Sequence, residues 1–133
     1  MHLKYICGLV LLGFSFMSTT CLRNSDQLSL LYDKTWLHAV EEDSADVLVY
    51  RPNTYAFPPS RGRTGFGLEE NGTFRLLSIA PTDGLEEHIG SWKKKDKNIL
   101  QVRFNENEPG NFDLEIISAR PDLIKARKIN LSQ

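Results

Sequence analysis

From residue 30 onward, apolar and polar side chains alternate in short runs, and no stretch shows the three-to-four-residue spacing of an amphipathic helix. Alternation with a period of two is typical of strands that bury one face. Turn-forming residues such as Glu70-Asn71-Gly72 separate the runs. We predict eight strands, at residues 35–41, 47–51, 64–69, 73–80, 88–94, 98–104, 112–118 and 123–129.

Eight sequential antiparallel strands can form either a closed barrel or a two-sheet sandwich. The hairpin order favours an all-β fold, an eight-stranded up-and-down antiparallel barrel over residues 31–133. Closure of the barrel would leave no exposed strand edge. A barrel of this size has an interior that is filled by side chains or holds one small ligand, and periodicity does not decide between the two.

The alternation also predicts the register of two hairpins. A three-residue loop that ends at Gly72 pairs Leu68 with Phe74 and Phe66 with Leu76, which collects the large apolar side chains on one face. We therefore predict a type I turn followed by a glycine bulge. For the next hairpin, a loop at residues 95–97 would place Trp92 opposite Leu100 and Gly90 opposite Val102.

The first 20 residues are typical of an export signal. One lysine precedes the uncharged apolar run Ile6–Met17, which is too short to span a bilayer. The run ends at Ser18-Thr-Thr-Cys21, which resembles the lipobox of bacterial lipoproteins. We predict acylation of Cys21, a lipid-anchored tether over residues 21–30, and a place in the cell envelope. Plain secretion and an uncleaved anchor are the alternatives.

Composition limits the other partners. The chain has 133 residues, of which 41% are hydrophobic and 25% charged, as in an ordinary globular domain. The net charge of −1 gives no overall field that favours nucleic acid or an anionic membrane. We therefore expect contact with the membrane through the lipid anchor only, and no contact with nucleic acid.

Several features of the pattern are shared with one known family. They are Trp36 on the opening strand, the ENGTF turn at 70–74, Gly90-Ser91-Trp92, and the basic residues Lys125 and Arg127 on the closing strand. Over roughly residues 30–130 the chain resembles the small lipocalin-like domains of exported bacterial proteins. The resemblance implies a lipocalin-like barrel, in which a basic residue of the last strand packs over the first-strand tryptophan. Arg127 is then the expected cation–π partner of Trp36.

Residues 51–66, RPNTYAFPPSRGRTGF, form the most unusual stretch of the chain. Its prolines indicate a bend or an edge rather than a central strand. A stiff loop at the barrel mouth would place two arginines where they can bind a carboxylate or a phosphate. The candidate ligand-binding residues are Tyr55, Phe57, Arg61, Arg63 and Phe66. In the alternative interpretation the two aromatic rings plug the barrel end and the arginines point into water.

The sequence offers little for catalysis. His38 and His88 share strand faces with Trp36 and Trp92, so both histidines are expected to face the interior. A metal or acid–base pair would need a third ligand, which the spacing does not provide, so we expect no metal, no cofactor and no catalytic residue. Two functions remain: a binding protein for a small apolar or amphipathic ligand, or a filled barrel that acts through its surface on a protein partner, as an assembly factor or inhibitor.

Overall fold

The computed structural model describes residues 24–106 and 109–131. The predicted signal peptide and Cys21 lie outside these ranges. The elements are α1 (Asn24–Ser29), β1 (Thr35–His38), the 3-10 turn η1 (Val40–Glu42), β2 (Leu48–Pro52), β3 (Gly65–Leu68), β4 (Thr73–Ile79), β5 (Leu85–Asp96), β6 (Ile99–Arg103), β7 (Phe112–Arg120) and β8 (Leu123–Asn130). In the described ranges no helix has the length and hydropathy that a bilayer crossing requires.

The eight strands close into one antiparallel barrel, as predicted. From β3 to β8 each strand pairs with the next along the chain. The order departs from the sequence at one place, because β1 lies between β2 and β3 while β2 pairs with β8. The segment 53–64 must therefore carry the chain past β1, from the end of β2 to the start of β3 at the opposite end of the barrel.

The register of the β3–β4 hairpin confirms the prediction, with Leu68 opposite Phe74 and Phe66 opposite Leu76. The turn closes with a bond from the Gly72 N–H to the Glu69 carbonyl at 3.1 Å. Gly72 has a φ of 95°, a left-handed conformation that costs glycine little. The glycine bulge thus places the large apolar groups of both strands inside the barrel.

The predicted register of the β5–β6 hairpin is wrong by two residues. Trp92 lies opposite Val102, and the strand continues to Asp96, which pairs with Ile99 across a tight turn. A one-residue bulge at Lys95 separates this pair from Lys94, which lies opposite Leu100. It allows the Lys95 ammonium to reach the buried Asp113 carboxylate, at 2.9 Å. A shift of two residues keeps every side chain on its predicted face.

Aromatic and aliphatic side chains fill the barrel interior. Phe74 lies at the centre, stacked on Phe66 at 5.6 Å and edge-on to Phe104 and Phe112 at 6.2 and 5.9 Å between ring centroids. The largest fully buried side chains are those of Trp36, Phe74, Leu31, Leu68, Leu100, Ile124 and Val102. At about 1.5–3 kcal/mol for each buried large side chain, this cluster supplies much of the hydrophobic stabilisation.

One end of the barrel, here called the covered end, is closed by the chain that precedes β1. Leu28 and Leu30 pack against the core, and the Tyr32 ring lies 5.9 Å from the Trp92 ring. From residue 24 onward the predicted tether is therefore helical and partly packed on the barrel. The Trp36 Nε1–H donates to the Leu31 carbonyl at 3.2 Å.

The expected contact between Arg127 and Trp36 is wrong. Lys34 takes that place, with its ammonium 5.6 Å from the centre of the Trp36 ring. Arg127 instead binds the carboxylates of Asp46 and Glu115, at 2.6 and 2.7 Å. Arg127 lies on the outer face because it alternates with the buried Ala126, so it cannot reach a ring inside the barrel.

Candidate binding site

The segment 53–64 crosses the outside of the barrel wall. Phe57 packs against Ala39, Val49 and Leu123. Val49 alternates along β2 with Tyr50, whose ring belongs to the interior, so Val49 and the Phe57 ring on it lie on the outer face. The proline-rich segment is therefore a stiff connection that covers β1 and β2, rather than a plug of the barrel.

Along this crossing, two neighbouring aromatic rings lie between two arginines. The Arg51 guanidinium lies 4.8 Å from the Tyr55 ring, the Tyr55 ring lies 5.0 Å edge-on to the Phe57 ring, and the Arg63 guanidinium lies 4.5 Å from the Phe57 ring. Cation–π contacts of this kind contribute about 0.5–2 kcal/mol each, depending on exposure. The stack explains why both rings and both arginines occur in such a short stretch.

Each of these two arginines, Arg51 and Arg63, also pairs with a carboxylate of η1. Arg63 donates to both oxygens of Glu41, at 2.9 and 2.6 Å, and to the carbonyls of Pro58 and His38. The Arg63 hydrogen bonds lower the pKa of Glu41 to about 2. Arg51 forms the same two-bonded pair with Glu42 and lowers its pKa as well. Arg63, one of the two arginines of the predicted anion clamp, thus already has an anionic partner within the chain.

The five predicted ligand-binding residues do not form one group. Tyr55, Phe57 and Arg63 are brought together on the outer face, whereas Phe66 is buried in the interior between the rings of Tyr50 and Phe74. Arg61 is exposed and has no ionic or hydrogen-bonded partner among the described residues. Ligand binding by these residues stays a prediction.

The end opposite the covered end, here called the open end, carries the cavities. It is formed where β1, β4 and β6 end and where β3 and β5 begin, at His38, Ile79, Arg103, Gly65 and Leu85. A cavity of about 240 Å³ is lined by Glu87, His88, Ile89, Phe104, Asn105, Glu106 and Pro109. A second cavity of about 120 Å³ lies around Gly62 and Thr64, between Val40 and Ile79.

Both inward-facing histidines lie near this end, each with its own carboxylate. The His38 Nε2 lies 2.8 Å from Asp43, which also accepts the Val49 N–H. The His88 Nε2 lies 3.1 Å from both the Ser78 hydroxyl and the Glu86 carboxylate. In a serine hydrolase the hydroxyl and the carboxylate bind different ring nitrogens, so this group lacks the arrangement for nucleophilic catalysis. The described residues contain no group of three or more potential metal ligands.

Sequence reasoning missed the exposed aliphatic side chains of the open end. Val40, Ile79, Leu85 and Ile89 are all at least half exposed. The available signal was the run LEEHIGSW, in which Leu85 and Ile89 share one face and His88 and Trp92 share the other. The predicted strand begins at residue 88, although the same alternation continues back to Leu85.

No family model, no characterised protein and no solved structure matches this chain. The closed eight-stranded barrel is compatible with a lipocalin-like fold and with a barrel that binds a small ligand.

Proposed function

We propose that the protein is an exported, non-enzymatic interaction protein whose filled barrel acts through its surface. The observation that carries the proposal is the packed interior. Trp36, Phe74 and Leu100 are fully buried, and four phenylalanine rings contact one another across the barrel. A barrel that binds a ligand internally needs that space for the ligand.

The outer surface supports the same proposal. Exposed large aliphatic side chains such as Val40, Ile79 and Leu85 at the open end are typical of sites where a protein partner binds. Lipid on Cys21 would hold the barrel at a membrane, because two or three acyl chains anchor a protein firmly. The first described residues after Cys21 belong to α1, which packs at the covered end. This arrangement favours an open end that points away from the membrane.

The absence of catalysis is part of the proposal. The carboxylates next to the histidines serve as structural partners, since Asp43 also accepts a backbone N–H of β2. Glu86 and Ser78 share one nitrogen of His88 and so provide no proton relay.

A small amphipathic ligand at the open end is the second candidate function. The cavity beside His88 and Phe104 supports it, because one wall is aromatic and the other carries polar groups. Its volume of about 240 Å³ lies below the roughly 300–1,000 Å³ of most small-molecule pockets. A side chain of a bound protein would fill such a space better than a free ligand.

Titration with a fluorescent apolar probe, such as N-phenyl-1-naphthylamine, tests the proposal. The protein should carry Cys21→Ser, so that no acyl chain contributes to probe binding. We expect no saturable rise in fluorescence. Phe74→Ala in the same background, titrated with benzene and followed by shifts of the core amide resonances, is the positive control, because an apolar cavity of that size in a protein interior binds benzene. Leu100→Ala replaces it if the larger truncation unfolds the barrel.

Saturable binding by the protein with an intact core would overturn the proposal and favour the small-ligand function. The position of the probe then separates the two sites. Binding that is lost in Phe104→Ala but kept in Phe66→Ala would place the ligand at the open end.

A further inference from the structure

β5 is much longer than the strand beside it. β5 has 12 residues and β6 has five. β5 pairs with β4 from Leu85 to Ser91, but with β6 only from Ser91 to Asp96. Among the described residues no strand pairs with the other side of Leu85–Gly90. These six residues form a free strand edge of about 20 Å at the open end, here called the β5 edge.

The two strands separate at Gly90 for a steric reason. A Cβ atom at this position would lie 2.5 Å from the Arg103 carbonyl oxygen and 2.7 Å from the Phe104 ring. The missing side chain lets Phe104 pass over the β5 backbone and enter the core. The Phe104 N–H points to the side of β7 and donates to the Asn111 side chain at 2.8 Å.

The β5 edge presents hydrogen-bonding groups. The Trp92 N–H donates to the Gly72 carbonyl at 2.9 Å, on the β4 side of the strand. Since backbone groups alternate along a strand, those of Leu85, Glu87 and Ile89 point to the other side. The N–H and C=O groups of these three residues therefore point away from β4, and two of the residues, Glu87 and Ile89, line the cavity beside Phe104.

The side chains of the β5 edge also suit a bound strand. Leu85 and Ile89 stand on the outer face with 58% and 60% of their surface exposed. On the inner face, the cavity of about 240 Å³ between His88, Phe104 and Pro109 has room for one side chain. Main-chain bonds supply affinity in strand addition, and pockets for alternate side chains supply specificity.

We propose that the β5 edge binds an extended segment of a partner polypeptide as an added strand, with apolar side chains opposite Leu85 and Ile89 and a basic side chain opposite Glu87. The charge of the site defines the basic position, because Glu86, Glu87 and Glu106 are exposed around the edge. Among the described residues, Arg75 lies 3.6 Å from Glu87 and the His88 ring 3.1 Å from Glu86, so the acidic side chains outnumber the basic ones that pair with them. The inference rests on the proposed function, since it names the partner of the same open end.

A second copy of the chain is a poorer occupant of the β5 edge. An antiparallel pair of edges that matches Leu85 with Ile89 would place the two copies of Glu87 directly opposite each other. Like charges in that position destabilise a strand pair, whereas lysines on a partner strand would stabilise it.

A fluorescein-labelled eight-residue peptide, acetylated and amidated at its ends, is a suitable probe if threonine occupies every second position and valine and lysine take turns at the positions between. One face of the extended peptide then carries valine and lysine in turn, to match Leu85, Glu87 and Ile89. Anisotropy should show saturable binding, and amide resonances of Leu85, Glu87 and Ile89 should shift. Glu87→Pro removes a donor of the β5 edge without breaking a bond to β4. We expect about tenfold weaker binding, the equivalent of one lost hydrogen bond. The matched Glu87→Gln variant keeps the donor and should bind only about two- to threefold more weakly.

Three results would overturn the inference. They are equal binding by Glu87→Pro and the unchanged protein, equal binding of a peptide methylated at alternate backbone nitrogens, and dimerisation in sedimentation experiments that excludes the peptide. The apolar-probe titration keeps the two proposals apart. If neither the apolar probe nor the peptide binds, the strand-addition inference fails and the proposed function stands. If the apolar probe binds saturably, the proposed function itself fails.

Discussion

Arg63 and Arg61 lie two residues apart in the same proline-rich segment, yet they should contribute very differently to stability. The Arg63 side chain is 8% exposed and binds Glu41, two backbone carbonyls and the Phe57 ring. Arg61 is exposed and has no partner among the described residues. Truncation to alanine at the two positions therefore separates a role in the fold from a role in ligand binding.

The contacts of Arg63 give the expected magnitude. Its pair with the partly exposed Glu41 is worth about 0–1 kcal/mol, the cation–π contact with Phe57 about 0.5–1 kcal/mol, and the bonds to the carbonyls of His38 and Pro58 about 1–1.5 kcal/mol together. Arg63→Ala should then lower the free energy of unfolding by about 2–3 kcal/mol. Arg61→Ala should change it by less than about 0.5 kcal/mol.

Urea unfolding followed by tryptophan fluorescence measures the difference. With an m-value near 1.5 kcal/mol/M, Arg63→Ala should lower the urea midpoint by about 1.5 M, and Arg61→Ala by less than about 0.3 M. Arg63→Lys should recover only part of the loss, because lysine cannot form the two-bonded pair. Equal midpoints for both alanine variants would refute the structural role of Arg63, and loss of anion binding without loss of stability would favour the clamp.

Three further predictions follow from the core, the ion pair and the signal. Phe74→Ala should cost about 3–5 kcal/mol in urea unfolding, whereas Ile79→Ala, half exposed, should cost less than about 1 kcal/mol. Because the pKa of Glu41 is about 2 in the folded protein and 4.5 ordinarily, the Arg63 pair should stabilise above pH 4.5 and lose its effect toward pH 2. The difference between the midpoints of the unchanged protein and Arg63→Ala should therefore narrow in acid, and the part that comes from Phe57 and the two carbonyls should remain. Cys21→Ser should move the protein from the detergent phase to the aqueous phase of Triton X-114; unchanged partition would exclude the lipid anchor.

The eight strands could be predicted because each depends on local alternation and nearby turns. The β3–β4 register followed from the demand that Phe66, Leu68 and Phe74 share one face, and only one loop length meets it. The β5–β6 register failed because two registers that differ by two residues bury the same faces. In the observed register Lys95 lies in a bulge, and its ammonium pairs with the buried carboxylate of Asp113 on β7. Alternation within β5 and β6 cannot predict this contact with a third strand.

The place of β1 in the barrel could not be read from alternation, since strand order depends on which edges meet when the sheet closes. One signal was present. The connection between β2 and β3 covers residues 53–64, too long and too rich in proline for a hairpin loop of two to five residues. A segment of this length can pass a neighbouring strand, and the stack of Arg51, Tyr55, Phe57 and Arg63 fixes it there.

The filled interior and the free strand edge have a common origin at Gly90. Because glycine leaves room over the β5 backbone, the Phe104 ring reaches the ring cluster around Phe74, and the chain then leaves β5 at the end of β6. A longer β6 would pair with Leu85–Gly90 and cover this edge. Phe104 would then be a strand residue beside β5, and its ring would not pass over the β5 backbone. Gly90 thus helps to fill the interior, which excludes a ligand there, and also leaves the β5 edge open to a strand of a partner. Acidic residues protect such an edge from self-association, and the same charges select a basic partner strand.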